Sequence, residues 1–335
     1  MAEYKGIKGF TIQSLASDPS ASANTEGQIW YNTVGKVLKG VAKVAGVGSW
    51  AAGGAMNTPR YTTMCSKAGT QTASRIYGGE TSAPTSVALN ESYNGTAWTE
   101  DADMLVGKSE GGGAGTLTAA LGFAGYRIET TSYLATTESW DGSSWSEVNN
   151  VNSARGEGGG TGTQTAALLY SGQDPSTQKT ENWDGTCWTE VADVLTMRVY
   201  IGSAGTSTAA LMIGGAPITN KVESWDGTSW SEINDLNTAR TNAAGFGATN
   251  TAAVYAGGNS PLLTPYYRDE TETFDGTSWT EGADLATAVN HQSADGTSSA
   301  GINMGGIDIA PAVTGATEEW TVAAATYAVK TFTSS

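Results

Sequence analysis

Histidine is almost missing from this chain: His291 is the only one in 335 residues. A Ser-His-Asp or Cys-His set would have to use it, and no Gly-x-Ser-x-Gly elbow accompanies it. Nucleophilic catalysis by a triad is therefore not expected, and His291 reads as a surface bystander at a strand end. Cysteine is scarce too. Cys65 and Cys187 lie about two repeat units apart, which excludes a disulfide scaffold and leaves two thiols buried or idle. Basic residues are few: 17 Lys and Arg against 33 Asp and Glu give a formal charge of −16. That balance repels phosphate backbones and anionic bilayers, so neither nucleic acid nor a membrane surface is expected as a partner. No run of about 18 apolar residues occurs, nor a charged-then-apolar leader, so neither membrane insertion nor a secretory signal is expected. No Asp-x-Asp-x-Asp-Gly loop is present, and no metal or other cofactor is expected.

What the chain has is a repeat. The stretch ESWDGTSWSE at 223–232 returns, with small changes, at 91–100, 138–147, 181–190 and 272–281, and half of it at Glu318-Glu319-Trp320. A period of about 40 to 50 residues is that of a propeller blade or another stacked unit. Each copy reads as a β-hairpin. Its two aromatics lie five apart, as Trp140 and Trp145 do, and Asp-Gly-Ser/Thr between them supplies the positive φ and Asx bonding of a tight turn. Asp141, Asp184, Asp226 and Asp275 are thus turn formers, and the paired rings pack in the core.

The second aromatic sets a ruler: Trp50, Trp98, Trp145, Trp188, Trp230 and Trp279. Ten residues after these come Arg60, Lys108, Arg155, Arg198, Arg240 and Val289, so the link tolerates no insertion. The basic residues are expected to pair with the Glu two places past each Trp: Glu100, Glu147, Glu190, Glu232 and Glu281. Next, an apolar run ends in a small pair, from Gly78-Gly79 to Gly305-Gly306. Length varies freely only between that pair and the next hairpin. Four strands per unit follow: one after the basic residue, one ending in Gly-Gly, and the two of the hairpin. Abundant Gly, Thr, Ser and Ala with no helical period agrees.

The fold expected is all-β: a six-bladed propeller of four-stranded blades, with residues 47–52 completing the last blade and latching the ring. Residues 327–333 are the rival for that place, and both could pair there. Residues 1–45 stand outside the repeat as an attachment segment and linker, and 46–335 form the propeller, C-terminal strand included. Within the former, 14–25 reads as a polar linker and 28–37 as a small hairpin.

Gly-Gly closing the second strand, an aromatic in the third and Trp in the fourth resemble kelch repeats, and so the kelch and galactose-oxidase-type propellers, over about 47–320. Ala124-Gly125 and Ser171-Gly172 depart from the first glycine. Galactose oxidase chemistry would imply copper on two His and two Tyr, which a chain with one histidine does not provide. WAAGGAMNTPR at 50–60, AGTQTA at 68–73 and ATEEW at 316–320 resemble kelch-like virion proteins of marine tailed bacteriophages, and EGQIWYNT at 26–33 is similar to the opening of phage fibre proteins. The resemblance implies a noncatalytic virion protein on the phage particle surface, a tail or neck fibre or adhesin. It would be homo-oligomeric, joined to other virion proteins through the N-terminal segment (Phe10, Ile12, Trp30 and Tyr31), and bind a host surface glycan or protein. A purely architectural decoration or collar protein is the alternative, and a propeller glycosidase or lyase the third reading. Recognition is expected in the variable loops, all on one face: Arg127 and Tyr133 in 126–136, and Leu262, Tyr266, Tyr267 and Arg268 in 259–269.

Overall fold

The computed structural model describes residues 12–83, 85–173 and 177–332; Phe10 lies outside them. The chain divides into two compact units, Gly48–Thr321 and the described parts of Met1–Val47 and Val322–Ser335.

The larger unit is a β-propeller built from six four-stranded sheets. One of them shows the logic of all. Its strands Gly202–Thr206, Ala209–Ile213, Val222–Trp225 and Trp230–Ile233 form an antiparallel meander in sequence order. The first two are buried almost throughout and read as continuous small or apolar runs, whereas the last keeps only Trp230 inside. Gly205 ends the inner strand at φ 102, and a Cβ there would meet the Ala209 carbonyl, so glycine is required. The innermost strands, starting at Met64, Gly112, Gly159, Gly202, Ala244 and Ser293, each pack on the next, and the last packs on the first.

The hairpins form as their composition dictates. Tyr93↔Trp98, Trp140↔Trp145, Trp183↔Trp188, Trp225↔Trp230 and Phe274↔Trp279 are direct cross-strand pairs, ring centroids 5.0 to 5.6 Å apart. Asp226 Oδ1 accepts the amides of Thr228 and Ser229, both at 2.8 Å, and Asp141, Asp184 and Asp275 hold their turns in the same way.

Gly48–Ala52 is the fourth strand of the last sheet, beside Thr317–Val322. The described residues of 327–333 do not share that place. Thr326–Thr331 pairs antiparallel with Val37–Val44 in the smaller unit, and the place beside Thr317–Val322 belongs to Gly48–Ala52. The propeller therefore does not extend to the C-terminal strand. The smaller sheet also holds Ile29–Asn32, antiparallel to Val37–Val44 as the hairpin reading expects, and Gln13–Leu15, parallel to Ile29–Asn32. Residues 14–25 are not a free linker: Asp18 accepts from Trp30 Nε1, Asn32 Nδ2 and Lys39 Nζ at 3.1, 2.7 and 2.6 Å.

The charge ladder is real but uses the other glutamate. Arg60, Lys108, Arg155, Arg198 and Arg240 are fully buried and pair with Glu91, Glu138, Glu181, Glu223 and Glu272, the first residue of each hairpin motif, at 2.6 to 3.4 Å. Arg240 shows the full pattern: Nη1 donates to the carbonyls of Gly257 (2.9 Å) and Glu270 (2.6 Å), Nη2 to Glu272 Oε1 at 2.9 Å. Glu272 Oε2 accepts the Asn237 amide at 2.7 Å, fixing the link that enters the blade. Glu100, Glu147, Glu190, Glu232 and Glu281 stay exposed on the outer strands.

Candidate functional site

Two residues past each of the five buried bases, and past Val289 in the sixth blade, the chain enters an inner strand through a non-glycine residue with positive φ. These residues are Thr62, Glu110, Glu157, Tyr200, Asn242 and His291, with φ between 49 and 61. Such backbone is sterically disfavoured by about 1 to 2 kcal/mol per residue. It persists because the six bond to one another. Each amide donates to the carbonyl of its counterpart one blade back, His291 serving Thr62, at 2.8 to 3.0 Å. The result is a closed cycle of six backbone hydrogen bonds around the propeller axis.

Their side chains ring a cavity of about 120 Å³, lined also by Lys67, Ser203 and Ser293. Lys67 Nζ donates to the carbonyls of Gly245 and Ala294, both at 3.1 Å, so this ammonium is held by inner strands. Burial pushes the Glu110 carboxyl up to about 8, helped by the negative charges of Glu157 and Glu80. Glu157 is also raised by burial, against hydrogen bonds from Tyr133 and Tyr200 that pull it down. Burial lowers His291 to about 4, which leaves it neutral at pH 7. His291 Nδ1 and Asn242 Oδ1 are buried with no partner. His291 is thus no surface bystander: it belongs to the mouth, edge-on to Tyr61 and Tyr200 at 6.2 and 5.9 Å.

The loops between second and third strands rise on this same face, because strand direction alternates from the inner strand outward. Tyr133 reaches the mouth: its hydroxyl donates to Glu157 Oε1 at 3.0 Å, and its ring packs on Tyr126 at 4.9 Å. Tyr266 acts at one remove. Asn259 Nδ2 donates to the Tyr266 hydroxyl at 2.8 Å, and Asn259 Oδ1 accepts from Asn242 Nδ2 at 2.9 Å. Tyr267 stands edge-on to Tyr266, and Leu262 is exposed. Arg268 is committed to its own loop, its guanidinium on Glu270 and the Pro265 carbonyl. Arg127 is exposed and pairs with Glu129 at 3.5 Å.

Of the residues read as attachment points, Trp30 is 1 % exposed and forms the core of its small sheet, so it cannot present a surface. Tyr31 is exposed and Ile12 half-buried. Cys65 is buried and Cys187 exposed, both free thiols. Among the described residues no helix is long and apolar enough to cross a membrane, and no three His, Cys, Asp or Glu side chains cluster to hold a metal ion.

Taken together, the mouth presents acceptors (Glu157, Asn242), a carboxyl protonated at neutral pH (Glu110), a neutral imidazole and the Tyr200 ring within one half-buried space. That combination suits a hydroxyl-rich ligand with apolar faces, stacked on rings and bonded at its edges. The site is not visible in the sequence repeat, because no single residue type recurs at all six of its positions. The signal was the reverse: one position of an otherwise rigid frame carries Thr, Glu, Glu, Tyr, Asn and His in turn.

No protein-family model matches the sequence, and no curated protein sequence does. The fold is shared with solved structures. One, described as the structure of YjhT, a kelch-type propeller, superposes with a TM-score of 0.67 at 12 % identity over 82 % of this chain and 99 % of that one.

Proposed function

We propose that this chain is a noncatalytic, six-bladed binding propeller carried on the surface of a bacteriophage particle, as a tail or neck fibre or adhesin. Its axial mouth and overlying loops take a host surface glycan. The observation that carries the binding reading is the Tyr133 hydroxyl on Glu157: a residue of the variable loops is bonded to a residue that lines the axial cavity. Loop exchange can retune such a face while the blades stay intact. The phage setting rests on the sequence resemblance at 26–33, 50–60 and 316–320. Attachment to the particle would fall to the smaller unit through its exposed residues, Tyr31 among them.

The purified chain is expected to bind envelope polysaccharide of its host. Glu157→Gln and Tyr133→Phe should each weaken binding about tenfold or more, since a hydrogen bond to a charged group is lost from a half-buried site. Their melting temperatures should stay close to that of the parent. Binding unchanged in both variants, measured by calorimetry, would remove the mouth from the proposal.

A second reading, glycosidase or lyase, is favoured by one observation: a carboxyl held protonated at neutral pH, Glu110, shares the cavity with Glu157. General-acid chemistry needs such a pair. Release of reducing ends from the bound polysaccharide, lost in Glu110→Gln, would select it over pure binding.

A further inference from the structure

The last blade breaks the charge ladder. Where five blades place a buried base, it has Val289, 4 % exposed, and beside it opens a cavity of about 100 Å³. Three of its lining residues stand where a guanidinium finds its partners in three other blades, and Thr287, Asp308 and Thr314 line it as well. Arg60, Arg198 and Arg240 donate to the carbonyl of the first glycine of the small pair, to the carbonyl two residues before the hairpin glutamate, and to that glutamate's Oε1. The counterparts in the last blade are Gly305, Ala316 and Glu318, and all three line the cavity. Glu318 also keeps the second bond of its kind, accepting the Ala286 amide at 2.9 Å.

One substitution has no parallel. Cross-strand from the hairpin glutamate the other blades carry Ile76, Gly122, Leu169, Met212 and Tyr255; opposite Glu318 stands Asn303. It is 3 % exposed, lines the cavity, and its Oδ1 is buried with no partner. A carboxamide in a protein interior without a partner is unfavourable by about 1 to 3 kcal/mol. The blade that lost its base has thus kept the carboxylate and the carbonyl positions and gained an acceptor.

We propose that this cavity is a binding site for a guanidinium group, supplied by a small solute or by an arginine side chain from outside the chain. The preference for guanidinium over a metal ion rests on the frame: the carboxylate and carbonyl positions are those that serve planar N–H forks in the neighbouring blades.

Thermal unfolding of the full chain at neutral pH tests it, with guanidinium chloride at low millimolar concentration compared with NaCl, KCl and CaCl₂ at equal ionic strength. An arginine-containing peptide amide forms a second arm. Guanidinium is expected to raise the melting temperature saturably, as a ligand selective for the folded state does. Asn303→Leu and Glu318→Gln should each weaken the response about tenfold or more. Val289→Arg should melt higher in buffer alone and lose the response. A response to the ion alone assigns a small solute, and a response to both arms admits an arginine side chain. No saturable shift in the parent, an equal shift in the parent and Val289→Arg, or a shift produced by potassium or calcium instead would overturn the proposal. If Val289→Arg does not fold, an unaltered response in both Asn303→Leu and Glu318→Gln overturns it equally.

Discussion

Replacing Arg155 by Met is expected to cost about 3 to 5 kcal/mol of folding stability, the usual result of stripping one partner from a buried ion pair. Arg155 and Glu181 are both fully buried and lie 2.6 Å apart. The guanidinium is not what makes the site expensive to disturb; the carboxylate left behind is. Glu181 Oε2 also accepts the Asn152 amide and side chain, both at 2.7 Å, so the link into the blade hangs on the same group. Adding Glu181→Gln removes the stranded charge while keeping an acceptor for Asn152, and should recover a large part of the loss. Chemical denaturation of the two variants and the parent measures this. A double variant as unstable as the single one would show that the base acts by packing, through its stem, and not by charge.

Glu110→Gln is expected to flatten the dependence of stability on pH. In the folded chain Glu110 binds its proton more tightly than in the unfolded chain, its carboxyl pushed up to about 8 from 4.5 by burial first and by Glu157 and Glu80 after it. A raised carboxyl contributes stability that is fully present below the unfolded value and is lost as pH rises through the folded one. The parent should therefore weaken between about pH 4.5 and 8, through this group. Glutamine cannot ionise. The variant should match the parent near pH 4 and exceed it by several kcal/mol, at most ~5, at pH 9, where a rise from 4.5 to about 8 is fully expressed. The difference between the two curves reports the loss of the Glu110 charge together with its repulsion from Glu157 and Glu80. Parallel curves across that range would mean that the carboxyl ionises freely and that the mouth is wetter than its geometry implies.

Periodicity carried most of the fold. An Asp-Gly turn between aromatics five apart leaves one hairpin register, and Trp140 lies opposite Trp145 as that register requires. The orphan Trp50 showed that the front of the chain must complete the last blade, and Gly48–Ala52 does so. The partner of each buried base was harder to read, for a physical reason. Glu91 and Glu100 are direct cross-strand neighbours and face the same way, so alternation cannot separate them. Distance from the axis does: the third strand is covered by the fourth, and the fourth by nothing but solvent along Glu100. Sequence spacing holds no such radial coordinate. The axial mouth was illegible for a related reason, since its six residues are about 40 to 50 apart in sequence and meet only once the ring exists. The C-terminal strand was misplaced because nothing in Thr326–Thr331 says which free edge it will find.

The pairing of Gly48–Ala52 with Thr317–Val322 fixes an order of events in the cell. On a ribosome, the strand that seals the disc emerges ahead of the blades, and it must wait, unsatisfied along one side, for a partner that follows the other five sheets. Until then five nascent blades have an open seam at which a neighbouring nascent chain could trade strands, so assembly at high expression should be governed by how quickly translation reaches the sixth.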